Sequence, residues 1–298
     1  METNRSESGE SMSKKKIAWV TDSTAFVTKE LQDHPDVHVI PLYITFGEEQ
    51  FQDGVELTTD ELYTRIRENK ELPKTSQPPA GEFAEMYEKL KENYDEAIAV
   101  HVSSEISGTI ASSTQGKDMA DFPVTVVDSL SMSHAITNLI EKGLELENTG
   151  KSASEIGEIL QTEAKKSENY VLLGSLDQFY KGGRMSGTQY LIGNLLKVKP
   201  IIQVNNEGKF HLFQKVRSEK KATKRLIELF KEAMDQYKID SVQIMHGNVE
   251  HRAEEVKALV HEQFPEMKVI IGEISSTIAA HAGEGTVAMI WHNENKPV

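Results

Sequence analysis

The sequence predicts an α/β protein of two α/β domains, the first built on a largely parallel sheet and the second on a mixed one. Three observations carry this. Short β-branched runs such as Lys16–Val20, Ile98–Val102 and Val124–Val127 alternate with helical segments, the pattern of parallel strands joined by crossover helices. In the second half a hairpin signal, Asn205–Gly208 between Pro200–Val204 and Phe210–Val216, breaks that alternation and mixes strand directions. The 298 residues, 38% of them hydrophobic, can bury cores for about two domains.

In chain order, Lys16–Val20 runs into Thr21, Asp22, Ser23 and Thr24, a hydroxyl-rich turn that opens a helix near Thr28–Leu31. Val37–Phe46 reads as a strand with Pro41 at an edge or bulge. Thr58 or Thr59 caps a helix through Asn69, with Leu62, Tyr63 and Ile66 at helical spacing. Lys74–Pro79 then forms a stiff loop whose two prolines hold Thr75 and Ser76 in a fixed direction. Phe83, Met86, Tyr87 and Leu90 make the core face of the next helix.

The stretch Ile98–Thr109 is the centre of the first half. A buried strand ends in Ser103, Ser104 and Ser107, and a helix starts at Gly108, so hydroxyls and free backbone N–H groups share one place that can cradle an anion. The simpler reading, a serine-capped helix start, is weakened because hydroxyl clusters recur at other strand ends, including Asp128 and Ser129 after Val124–Val127. Parallel strands place such ends on one sheet edge, outside which ligands collect.

Helices over Ser133–Glu147 and Ser154–Lys166 close this half, and the boundary falls near Ser167–Tyr170, giving domains at 16–168 and 169–298 after a polar leader, 1–15, that reads as disordered. The second half continues with strand Tyr170–Gly174, a Gly-Gly-Arg turn at Gly182–Arg184 and the hairpin, which delivers Arg217 at a strand end. Helix Ala222–Tyr237, strand Ser241–Met245, helix Val249–Phe264 and strand Lys268–Ile274 follow. A glycine-rich loop from His281 to Thr286 precedes the last apolar run, Val287–Trp291.

Composition excludes several functions. With 33 Lys plus Arg against 47 Asp plus Glu, the net charge of −14 repels nucleic acid and anionic lipid surfaces. Cysteine is absent, so thiolate zinc sites and a cysteine nucleophile are unavailable. No run is apolar and long enough for a signal peptide or a membrane span, so a cytoplasmic protein that is not integral to a membrane is expected. Gly283, Gly285 and Ala288 match a dinucleotide fingerprint, but too little chain follows to complete the unit. Thr149–Ser152 imitates the tail of a P-loop without its leading glycine. The ten histidines lack metal-ligand spacing.

Taken together, Thr21–Thr24 (TDST), Thr75–Pro78 (TSQP), Ser103–Thr109 (SSEISGT), Asp128–Ser129, Gly182–Arg184 (GGR), Lys215–Arg217 (KVR) and Ala280–Thr286 (AHAGEGT) resemble the DegV family of bacterial fatty-acid-binding proteins. The resemblance spans Lys16–Trp291 and departs from the family pattern at Pro79. It implies a long-chain fatty acid as ligand, no cofactor, and a partner fatty-acid kinase that phosphorylates the bound carboxylate, the chain itself being a carrier and not an enzyme. It further implies that Thr75, Ser76, Ser104, Ser107 and His281 hold the carboxylate, and that Arg184 and Arg217 lie outside the pocket facing the kinase.

The chemistry fits: burying about 16 carbons at roughly 0.8 kcal/mol per CH2 gives on the order of 10 kcal/mol gross, so the tail supplies affinity and the head need only be tolerated. Hydroxyls and N–H groups satisfy a carboxylate without fixing a cation beside it. Two alternatives use the same residues. A serine hydrolase would pair Ser107 and His281 with Asp22 or Asp128, and a lipid-responsive regulator would use the pocket without phosphotransfer.

Overall fold

The computed structural model describes residues 15–69, 72–184 and 199–298. Apart from Lys15, the expected leader lies outside them.

The first half runs β1 (Ile17–Asp22), α1 (Lys29–Gln32), β2 (Val37–Ile40), β3 (Tyr43–Phe46), β4 (Glu49–Gln52), α2 (Thr59–Asn69), β5 (Lys74–Ser76), α3 (Ala80–Lys91), β6 (Glu96–His101), α4 (Thr109–Ala120), β7 (Val124–Asp128), α5 (His134–Glu147) and α6 (Ala153–Glu163). Strands β2-β1-β6-β7 form a wholly parallel sheet. Its two-residue period sorts the core. Ile17, Trp19, Ile98 and Val100 face α5 and α6, meeting Ile136, Leu139, Ile156 and Leu160, while Ala18, Val20, Ala97 and Ala99 face α3 and α4, meeting Phe83, Tyr87 and Leu90. Trp19 fits only because α5 carries glycine where it crosses: a Cβ on Gly143 would stand 2.1 Å from the indole.

The second half runs β8 (Ser167–Leu172), α7 (Leu176–Lys181), β9 (Lys199–Val204), β10 (Phe210–Val216), α8 (Glu219–Met234), β11 (Ser241–His246), α9 (Glu250–Gln263), β12 (Lys268–Glu273), α10 (Ser276–Ala282) and β13 (Val287–His292). The sheet order is β10-β9-β8-β13-β11-β12, with only β11 and β12 parallel, so it is mixed as expected. One face, through Tyr170, Leu172, Val242, Ile244, Met289 and Trp291, packs on Leu226, Phe230, Val256 and Val260 of α8 and α9. The other, through Val171, Ile202, Met245 and Ala288, faces the first half.

That inner face is partly covered by a third, antiparallel sheet, β4-β3-β5, drawn from the first half. Its Ile44 and Phe46, with Leu62 of α2, join the cluster of the second sheet, so the halves interlock instead of meeting along one line at 168. Here the sequence reading needs correcting. The run Val37–Phe46 is two strands in different sheets, separated at Pro41, where the missing N–H ends the ladder. Lys74–Ser76 is a short strand paired with β3, not a loop. Helices α7 and α10 were not expected; their caps, Ser175 and Ser275, accept from Gln178 N and Ile278 N. Gly208, at φ +81°, turns the β9–β10 hairpin so closely over the first half that a Cβ would stand 2.1 Å from Ser103 Oγ.

Candidate functional site

Between the carboxyl edge of the parallel sheet and the inner face of the mixed sheet lies a cavity with about 820 Å3 of space free of atoms, part of it open to solvent. It is slender: the centre of a water molecule can reach only about 70 Å3 of it. β8 and β13 contribute Val171, Ala288 and Ile290, Leu173 follows just after β8, the loops after the parallel strands contribute Val102, Ile106 and Met132, and Phe179, Phe210 and Ile278 close the sides. Such a narrow apolar slot suits an extended hydrocarbon chain.

One end is polar. Thr75, Ser76, Ser107, Arg184 and His281 line it together. β5 supplies Thr75 because its pairing with Ile44 turns that side chain inward. α10 supplies His281 from its last turn, and the two meet at 2.7 Å, Thr75 Oγ1 to His281 Nε2. Ser107 sits at the start of α4, its hydroxyl 2.8 Å from Thr109 Oγ1. Burial, and after it the charge of Arg184, pushes the His281 imidazole down to about 4, so it is neutral near pH 7. Burial also lowers the Arg184 guanidinium from its ordinary value.

A neutral buried histidine makes stability pH-dependent. His134, also buried, is likewise pushed down to about 4 by burial. The unfolded chain takes up these protons near 6.5 and the folded chain only near 4, so stability present above pH 6.5 is lost as pH falls toward 4. We expect chemical denaturation of the lipid-free protein to show a loss of about 3 kcal/mol per histidine across that window. His281→Asn should remove one share of the loss; a stability flat between about pH 6.5 and 4.5 would contradict these protonation states.

Ser104 and Arg184 stand elsewhere than the resemblance implies. Ser104 is exposed and outside the cavity: Oγ donates to Asp128 Oδ2 at 2.6 Å, tying the ends of β6 and β7 together. Arg184 lies inside, on the cavity wall, where it was expected outside; its Nη1 donates to Gly182 O at 2.6 Å, folding the side chain back toward His281. Arg217 is exposed just after β10. Asp22 is fully buried, accepting from Val102 N at 2.9 Å and contacting His101 Nδ1 at 3.1 Å, while Asp128 serves Ser104 and Leu130 N. No hydrogen bond among the described residues links either aspartate to His281, or Ser107 to His281, so the hydrolase set is not wired.

A different serine-histidine-aspartate chain does exist. His101 Nε2 stands 3.1 Å from Ser113 Oγ, which meets Tyr87 OH at 2.6 Å, and His101 also holds Asp22. All four side chains are sealed from solvent, so no substrate can reach the serine. Burial opposes charge on Asp22, yet the bonds to His101, Thr24 and Val102 N outweigh it and hold the carboxyl below its usual value. Elsewhere Glu163, His292 and Glu294 converge, with Lys142 bonding both glutamates and Lys166 bonding Glu163. Sequence reading missed the apolar wall: Leu173, Phe179, Phe210 and Ile278 are ordinary core residues until the two halves are brought together.

The family model for uncharacterised proteins of the DegV family matches residues 16–294. The chain belongs to the DegV family. It is 35% identical over 277 residues to protein DegV of Bacillus subtilis, covering 92% of this chain and 98% of that one. The crystal structure of that Bacillus protein, described as fatty-acid-binding, superposes with a TM-score of 0.85 at 34% identity over 94% of this chain and all (100%) of that one. A fatty-acid-binding DegV-family protein from Streptococcus agalactiae superposes at 0.88 with 31% identity, over 94% and 100% of the two chains. The Streptococcus pneumoniae fatty acid kinase B3 protein, loaded with linoleic acid, shares the fold at 0.80 with 22% identity over 94% and 100%. No helix among the described residues of this DegV-family chain is long and apolar enough to cross a membrane.

Proposed function

We propose that this chain binds one long-chain fatty acid in the cavity, its carboxylate among Thr75, Ser76, Ser107 and His281, and presents it in the cytoplasm to a fatty-acid kinase. The observation that carries this is the slender apolar slot ending in the Thr75–His281–Ser107 group. The fatty-acid-binding relatives from Bacillus subtilis and Streptococcus agalactiae support the ligand class.

The hydroxyls donate to the carboxylate, and the neutral imidazole acts through Thr75 by fixing the direction of its hydroxyl. With Nε2–H donated to Thr75 Oγ1, the threonine hydrogen is left to point at the ligand; a bound carboxylate selects that tautomer. Arg184, on the wall beside His281, adds a cation the sequence reading placed outside, and offsets part of the cost of burying a charge. The carboxylate oxygen then attacks the γ-phosphorus of ATP brought by the kinase, and ADP leaves. Strand register supports a docking role for Arg217. Leu172 pairs with Ile201, so Lys199 and its partner Val216 lie level with Gly174, at the same sheet end as His281.

In lipid-free protein, Thr75→Ala and Ser107→Ala should each weaken oleate binding by about 1–3 kcal/mol, read by displacement of a fluorescent fatty acid, because a buried charge loses a donor. Arg217→Ala should bind oleate as the parent does and yield less acyl phosphate when kinase and labelled ATP are added. Parental affinity in both hydroxyl variants would show the carboxylate to be elsewhere, and product without kinase would make the chain an enzyme.

A further inference from the structure

Midway along the cavity the wall is not purely apolar. β8 turns Asn169 and Val171 toward the cavity, as does Leu173 just beyond the strand, and Asn169 sits between Val204 of β9 and Ile290 of β13, a sheet-interior position that disfavours asparagine. Asn169 is 2% exposed. Its Nδ2 donates to Ser131 Oγ at 3.3 Å, and its Oδ1 has no partner among the described residues. Whichever way the amide is turned, only one end meets Ser131, and the other is a buried polar group whose pairing has been lost, which costs free energy.

A second polar group stands on the adjoining wall. Ser133 lines the cavity at a strained φ of +59°, and its hydroxyl makes no hydrogen bond to any described residue. The polar wall therefore comes from both halves of the chain. Its distance from the carboxylate end follows from the strand. Ser175 N bonds Ala282 O, which puts the end of β8 beside α10 and His281. Asn169 lies four residues before Leu173, about 13 Å along the strand, so it faces the middle of a bound acyl chain and not its head or its tip.

We propose that the acyl chains this site is built to take include fatty acids bearing a mid-chain hydroxyl, which donates to Asn169 Oδ1 and is flanked by Ser133. This rests on the fatty-acid reading of the cavity. A plain chain leaves the amide unsatisfied; a hydroxyl at that depth completes it.

The test uses the lipid-free full chain and competitive displacement of a fluorescent fatty acid by stearate and by stearates hydroxylated at successive mid-chain carbons. A mid-chain hydroxystearate should bind roughly tenfold tighter than hydroxystearates substituted near either end, the worth of one well-placed buried hydrogen bond. Asn169→Leu should erase that positional preference while tightening plain stearate. Ser133→Ala, which asks no more of the backbone than serine does, should narrow it, so the conclusion does not depend on one variant folding. Stearate binding with no positional preference overturns this inference alone, and means that the amide is met by a trapped water or not at all. Failure to bind any of the acids overturns the fatty-acid reading with it.

Discussion

Ala288→Phe is expected to abolish long-chain fatty-acid binding while leaving a folded protein. Ala288 lies mid-sheet on β13, paired with Val171 and Met245, with its Cβ on the cavity floor. A phenyl ring there fills space that the ligand would otherwise occupy. Denying the tail four or more methylenes of depth removes about 3 kcal/mol or more, over a hundredfold in affinity. Because the ring enters a void and not a packed wall, near-native circular dichroism and a melting temperature within a few degrees of the parent should accompany the loss. Parental affinity in this variant would move the ligand out of the cavity.

Asp22→Ala is expected to be the most destabilising of the substitutions considered, by about 3–5 kcal/mol in urea unfolding. The carboxylate is 0% exposed and receives Thr24 N at 3.0 Å and Val102 N at 2.9 Å besides His101. Its removal orphans two backbone donors and the head of the His101–Ser113–Tyr87 chain at once. Asp22→Asn keeps one acceptor oxygen and should lose less. If Asp22→Ala unfolded at the parental urea midpoint, the network would contribute nothing to stability.

Much of the architecture was legible because it rests on local periodicity. The alternation of Ile17, Ala18, Trp19 and Val20 between two helical layers fixes a doubly covered parallel strand, and Asn205–Gly208 announces the hairpin. Pro41 was visible as a disruption, but its outcome, a change of sheet, depends on Ile44 and Phe46 finding the core of the other half. Helix α10 is seven residues of small and polar side chains, too short for periodicity to register, and it brings His281 to Thr75 across 206 positions of sequence.

The serines show the same division. Clustering at strand ends marked the right edge of the sheet, yet only geometry separates Ser107, on the cavity, from Ser103 and Ser104, whose hydroxyls go to Gly208 O at 2.9 Å and Asp128. Residue type alone could not say that Arg184 turns inward while Arg217 stays exposed. Asn169 carried no sequence signal, because an isolated asparagine near a strand start reads as an ordinary surface residue until its neighbours across the sheet are known.

The most direct test of the account is native mass spectrometry of the purified protein, paired with extraction of its lipid and reconstitution of the stripped chain with oleate. The account predicts that one fatty acid leaves on denaturation, that the stripped chain takes up one equivalent of oleate, and that Ala288→Phe takes up none. A stripped, folded chain that rebinds no long-chain fatty acid would contradict it.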